Sequence, residues 1–184
     1  MNQNSPRFSR RSFLENSTLA AGLLGGTALA ADAVRAAEPP SPAATAAVNA
    51  REFGAKADGK TDDTKAIQAA LDAAATKGPI CLLPAGHYRL DGSLTVPPGV
   101  TLAGVSGGVP HSEHPIGTVL LAYGGRGQAD GEPLITLKPN AVVRNLIVHY
   151  PEQKIPDVIP YPWTIRADGE LCQVLDLTLT NPYQ

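Results

Sequence analysis

Between residues 80 and 104 no apolar run lasts more than about five residues before Pro, Gly or Asp-Gly interrupts it: ICLL, PAG, HYRL, DG, SLTV, PPG, VTLAG. Each run is too short for a helix and carries apolar residues at period two, as with Leu94 and Val96 or Val100 and Leu102. That is the pattern of short strands joined by tight turns. The eighteen Gly and seventeen Pro of the 184 residues recur between such runs and do not pool in one tract, which excludes a long-helix bundle. With 43% hydrophobic and 17% charged residues the chain has enough apolar side chains for one core. Strands punctuated this often suit either a β-sandwich or a stack of coils.

An internal repeat favours the coils. VVRNLIVHYP at 142–151 overlays QVLDLTLTNP at 173–182, with Val143 over Val174, Asn145 over Asp176, Leu146 over Leu177, Val148 over Leu179 and Pro151 over Pro182. The offset of 31 residues fits one solenoid turn plus an inserted loop.

One segment breaks the strand pattern. Ile67, Ala70, Leu71 and Ala74 fall at i, i+3, i+4 and i+7, opposite a polar stripe of Lys65, Gln68, Asp72 and Thr76. This spacing predicts one amphipathic helix over about 61–77. Asp58-Gly59 makes the turn before it, Thr61 or Asp62 serves as N-cap, and Asp63 sits in the first turn, where the helix dipole favours an anion. Lys77 followed by Gly78-Pro79 is the stop. Asp58, Gly59, Thr61, Asp62 and Asp63 therefore read as a structural cap, not as catalytic carboxylates.

The stretch VNAREFGAKADGKTDDTKAIQAALDAA, followed by LLPAGHYRLDGSLTVPPGVTLAG, resembles the N-terminal segment of the pectate lyase superfamily over about residues 49–104. These are the pectin-lyase-like proteins that include polygalacturonase and rhamnogalacturonase relatives. The resemblance implies an all-β solenoid, a right-handed single-stranded parallel β-helix with the helix of 61–77 as its N-terminal capping α-helix. It also implies a carbohydrate-active protein, a glycoside hydrolase or a polysaccharide lyase, with a non-catalytic binding or structural module as the alternative. Hydrolases of this kind use two or three carboxylates; lyases use a base, often with calcium. Such groups come mostly from central coils of the family, so no catalytic residue and no metal ligand is assigned here, no cofactor is evident, and calcium enters only with the lyase reading. Because LCQVLDLTLTNPYQ stops right after a strand without a cap, residues 49–184 are expected to be the N-terminal part of a longer β-helix, with catalytic coils beyond residue 184.

Residues 1–36 place Arg10 and Arg11 ahead of a modest apolar stretch that is too short and Gly-rich for a good membrane anchor. Ser9-Arg10-Arg11-Ser12-Phe13-Leu14 resembles the twin-arginine consensus, with Glu15 where a Lys is usual. The expectation is an export signal read by the twin-arginine machinery, cleaved after Ala30 or, preferably, Ala36, then a linker at 37–48. The protein is then periplasmic or secreted, with no membrane span after cleavage. A formal charge of −2 gives no strong field toward nucleic acid or an anionic membrane. Cys81 and Cys172 could pair in an oxidising compartment, but two isolated cysteines are as often small buried hydrophobes.

Three loops remain as ligand candidates. HSEH at 111–114 lacks metal-binding helical spacing and reads as a solvated loop. GGRGQADGE at 124–132 has Asp130 where a dinucleotide fingerprint needs its third glycine, and reads as a turn. The stretch 149–170 is the most suggestive, a Pro-rich loop with Tyr150, Tyr161 and Trp163 beside His149, Glu152, Asp157 and Arg166. Aromatic rings stack on sugar faces and Arg forks carboxylates. His149, Tyr161, Trp163 and Arg166 are therefore the candidate contacts to a polysaccharide or oligosaccharide, against the alternative that the loop merely packs on its coil.

Overall fold

The structure, a computed structural model, describes residues 47–105, 116–154 and 156–182, all within the unit Ser41–Gln184. The expected export signal, most of the linker and the HSEH loop lie outside the described residues. The chain forms strands β1 (Val48–Asn49) and β2 (Asp58–Asp62), then helix α1 (Thr64–Lys77). Strands β3 (Ile80–Leu82), β4 (Gly86–Leu90) and β5 (Leu94–Val96) follow, then β6 (Thr101–Ala103), β7 (Thr118–Ala122) and β8 (Ile135–Leu137). The last are β9 (Val142–His149), β10 (Ile165–Ala167) and β11 (Gln173–Thr180).

Among the described residues every strand pairing is parallel, and the pairings sort into three ladders. The first joins β1, β3, β6 and the N-terminal halves of β9 and β11. The second joins β2, β4, β7 and the C-terminal halves of β9 and β11. The third is β5, β8 and β10. The chain visits the ladders in turn, so successive circuits stack as coils, and the expectation of mostly parallel β-structure with few helices holds. Strands β9 and β11 each serve two ladders because they bend at Asn145 (φ 56°) and Asp176 (φ 49°), residue types whose short polar side chains tolerate the left-handed region. The predicted repeat is the observed register: Val143 pairs with Val174, Leu146 with Leu177 and Val148 with Leu179.

Alternation along each strand turns one set of side chains into a shared core. Tyr88, Leu120 and Val148 stack inward through three coils of the second ladder, all buried. Each such side chain contributes about 1.5–3 kcal/mol by leaving water. Gly104 follows β6 because a Cβ there would overlap Leu146 and lie 2.5 Å from the Asn145 carbonyl oxygen, which explains the glycine that ends the VTLAG motif. Cys81 is buried and Cys172 half-buried, and both are free; burial alone pushes the Cys81 thiol up to about 12.

Helix α1 buries the predicted stripe, Ile67, Ala70, Leu71 and Ala74. In its circuit it lies between the second-ladder β2 and the first-ladder β3, where later circuits place a strand of the third ladder, and it packs against β5. Its start differs from the expectation. Residues 58–62 pair with β4 as a strand, Asp58 opposite His87 and Asp62 opposite Arg89, and the helix begins only at Thr64. The N-cap is Asp63, not Thr61 or Asp62, and its carboxylate does not cap the helix. Instead it is buried, accepting hydrogen bonds from the backbone N–H groups of Lys56 (2.7 Å) and Ala57 (2.9 Å). The first free turn of α1 is served by Asp62, which accepts from the Thr64 N–H and hydroxyl and from the Asp91 N–H. Asp58 and Gly59 do form a turn, with Asp58 accepting from the N–H groups of Lys60 and Thr61, both at 2.8 Å, but that turn is a bulge inside β2.

Candidate functional site

The second ladder carries a polar row on its outer side. Asp62, Arg89, Leu121, His149 and Thr180 are consecutive partners across five coils, and none is fully buried. At about 4.8 Å between neighbouring strands the row is about 19 Å long and runs at right angles to the strands. Four of its five members can hydrogen-bond a polar ligand.

The geometry fixes these side chains. The Arg89 guanidinium lies 4.3 Å from the centre of the Tyr123 ring and its Nε donates to Asp91 at 2.7 Å. This cation–π and ion-pair clamp restrains a side chain that is otherwise free to swing. His149 Nδ1 sits 2.8 Å from the Thr180 hydroxyl. Burial, and secondarily the His87 imidazole, holds His149 below the ordinary histidine value, so it presents a neutral ring at neutral pH. Burial tends to raise the Asp62 carboxyl, but its hydrogen bonds from Thr64 and Asp91 and the nearby Arg89 outweigh that, and it lies below the ordinary carboxylate value.

Charged groups also gather at the corner where the chain leaves this ladder. Asp91 follows β4, Arg126 follows β7, and Glu152, Lys154 and Asp157 follow β9. Arg126, Glu152, Lys154 and Asp157 line a recess of about 500 Å³, and Arg126 pairs with Glu152 at 2.8 Å. The loop that carries them is pinned. Gln153 is buried and its amide both donates to the Ile159 carbonyl (2.6 Å) and accepts from the Ile159 N–H (3.0 Å). The 124–132 turn packs on the same loop, since a Cβ at Gly125 (φ 74°) would lie 2.6 Å from Pro162.

The four residues singled out from sequence are not brought to one place. His149 belongs to the outer row. Tyr161 is buried, edge-on to Tyr150 with ring centres 4.9 Å apart. Trp163 is 62% exposed and lines, with Tyr161, an apolar cavity of about 570 Å³ whose other walls include Val174, Leu177 and Leu179 of β11. Arg166 lies on the third ladder, 3.7 Å from Glu132. Arg89, Tyr123 and Thr180 were missed by sequence reasoning. The signal that could have found them is the coil offset itself, because carrying His149 forward 31 residues lands on Thr180. Among the described residues no three His, Cys, Asp or Glu side chains converge to hold a metal. No helix among them is long and apolar enough to cross a membrane.

Comparison with known proteins gives the following. A family model described as rhamnogalacturonase A/epimerase, pectate lyase-like, matches residues 47–149. Alginate lyase 7 of Azotobacter vinelandii is 47% identical over 68 residues, which cover 33% of this chain and 8% of that protein. Mannuronan C5-epimerase AlgE4 of the same organism is 40% identical over 107 residues, covering 50% of this chain and 19% of the epimerase. Among solved structures, ORF18 of Geobacillus virus E2 superposes with a TM-score of 0.50 at 22% identity, over 71% of this chain and 25% of that one, a likeness of fold alone. The chain thus spans less than a fifth of the length of these curated relatives.

Proposed function

Because the chain belongs to the rhamnogalacturonase A/epimerase, pectate lyase-like family, we propose that it is an exported protein acting on polysaccharide, and that the polymer lies along the outer row of the second ladder. The observation that carries this reading is the row itself, Asp62, Arg89, Leu121, His149 and Thr180, one side chain per coil. A linear ligand laid across the coils meets a new contact at each step. The similarity to an alginate lyase and a mannuronan epimerase supports an acidic polysaccharide, for which Arg89 is the suited partner. In this reading the stack is a right-handed β-helix, the hand that parallel crossovers favour, and α1 is its N-terminal cap. Residues 1–36 are its twin-arginine export signal, and the protein acts in the periplasm or outside the cell.

Glycoside hydrolase and polysaccharide lyase are the two activities proposed, and calcium belongs to the second. One observation favours the alternative, a non-catalytic binding module, for the residues described. The row's own acid and its neighbours are already engaged, Asp62 by Thr64 and Asp91, Asp58 by Lys60 and Thr61, Asp91 by Arg89. None is free to act as an acid or base without giving up a structural bond.

The test is a panel of alginate, pectins and neutral glycans assayed for binding, new reducing ends and unsaturated-uronate absorbance. Hydrolysis gives reducing ends alone, elimination gives both, and binding without either selects the module. Arg89→Ala should weaken polymer binding by about tenfold, the worth of one charged hydrogen bond. Replacing Trp163 and Arg166 together is the control: a loss there with Arg89→Ala unchanged would move the site from the row to the loop.

A further inference from the structure

The Arg89 guanidinium is held from two sides, and both holds are themselves fixed by backbone. Its flat face meets the Tyr123 ring, 4.3 Å from the ring centre, and its Nε donates to Asp91 at 2.7 Å. Tyr123 directly follows β7, and its N–H donates to the Leu90 carbonyl at 2.9 Å, which sets the ring beside the residue before Leu90. The Gly124 N–H shares that carbonyl at 3.1 Å, and a Cβ on Gly124 would lie 2.9 Å from the Asp91 carbonyl oxygen. A glycine at this position is what lets the two turns close on each other. The Asp91 N–H in turn donates to the Asp62 carboxylate and the Thr64 hydroxyl, both at 3.2 Å.

What the clamp leaves open decides what Arg89 can hold. The face against Tyr123 and the Nε edge are taken, while the two Nη groups make no hydrogen bond to a described residue and reach solvent. The side chain as a whole is 34% exposed. Its free end is a pair of N–H donors in the fixed fork that matches both oxygens of a carboxylate. Charge alone would not hold an anion here, because Asp91 is paired with Arg89 and Asp62 is its partner across the ladder. Two carboxylates offset one cation, so recognition rests on the fork and on how firmly its direction is set. An arginine that is already stacked and paired has little rotamer freedom left to lose on binding. We propose that Tyr123 is a positioning residue, which stacks Arg89 so that its two Nη groups face outward and fork the carboxylate of a uronate unit. The inference rests on the polysaccharide reading above and deepens it: the row selects uronates at the coil of β4, and the next coil supplies the ring that aims the selecting group.

The test uses the full chain with alginate and polygalacturonate oligosaccharides, each beside its carboxyl-reduced form, which keeps the hydroxyls and loses the charge. The wild-type protein should bind at least one acid about tenfold or more tighter than its reduced form, the worth of charged hydrogen bonds. Arg89→Lys, which keeps the charge and loses the fork, should fall almost as far as Arg89→Ala. Tyr123→Leu should weaken the acid by about threefold to tenfold and spare the reduced form, while Tyr123→Phe stays within about twofold of wild type. Adding Tyr123→Leu to Arg89→Ala should cost nothing further. Without ligand, the Arg89 side-chain protons should resonate upfield under the Tyr123 ring, in Tyr123→Phe as in wild type, and return to ordinary positions in Tyr123→Leu; thermal melts check that each variant is folded. Arg89 signals without that shift in the wild-type protein, or a Tyr123→Leu variant that loses the shift and keeps its affinity, overturn the positioning role and leave the row standing. A further loss in the Arg89→Ala background overturns it too, by making Tyr123 a direct contact of the sugar. Equal binding of acid and reduced forms, or Arg89→Lys at wild-type affinity, overturns the carboxylate fork. No binding of any of these oligosaccharides by the wild-type protein overturns the polysaccharide reading itself, and the proposal with it.

Discussion

At the scale of single residues, the acids ahead of the helix divide the work in a way their order does not reveal. Asp63 holds two backbone N–H groups from inside the protein, whereas Asp62 serves the helix start from a more exposed position. Asp63→Ala should therefore cost about 1–3 kcal/mol by leaving two part-buried backbone donors without their acceptor, against about 0.5–2 kcal/mol for Asp62→Ala; urea unfolding of both variants gives the ranking. The acids also set an acid limb. Hydrogen bonds from the Thr61 and Lys60 N–H groups hold the exposed Asp58 carboxyl at about 2, below its ordinary 3.8. The unfolded chain thus takes up that proton first, so the contribution is whole above 3.8 and is lost as the pH falls toward 2. Asp58→Asn should flatten the melting temperature's dependence on pH across that window. His149 runs at a higher pH with the same sign. Burial lowers it below 6.5, so the unfolded state binds the proton first and stability falls as the pH drops through 6.5. His149→Gln should remove that decline.

At the scale of elements, the sequence carried the strands, the helix and one register, and stopped short of the ladders. The helix stripe was legible because Ile67, Ala70, Leu71 and Ala74 recur at helical spacing and nothing else competes for them. The helix start was not, because Asp58–Asp62 is a bulged strand whose partner, β4, lies a full circuit away. The 31-residue repeat was legible because β9 and β11 bend at residues of the same kind, Asn145 and Asp176. The outer row was not read, since it needs four registers at once and the intervening circuits are of unequal length. The bend can be tested directly. Asn145→Ala should cost about 1–2 kcal/mol and Asn145→Gly less, because only the first places a Cβ in the left-handed region without a compensating side chain; denaturant midpoints of the two variants compare them.

At the scale of the whole molecule, each coil is stabilised by the coils on either side of it, so protection should follow position in the stack. Amide exchange is expected to be slowest in β4, β6 and β7, which are paired on both sides, and faster in β11, which among the described residues pairs with β9 alone. The same stack tolerates unequal circuits. From Ile80 to its partner Thr101 is 21 residues, from Thr101 to Val142 is 41, and from Val142 to Gln173 is 31, yet the three pairs fall in one ladder. Part of the surplus is absorbed where the chain leaves the second ladder, at residues 123–134 and 150–164, where Arg126 and Glu152 reside. Descent with modification can therefore lengthen, shorten or exchange a corner and leave the inherited spine in frame, so that recognition and architecture evolve on separate clocks.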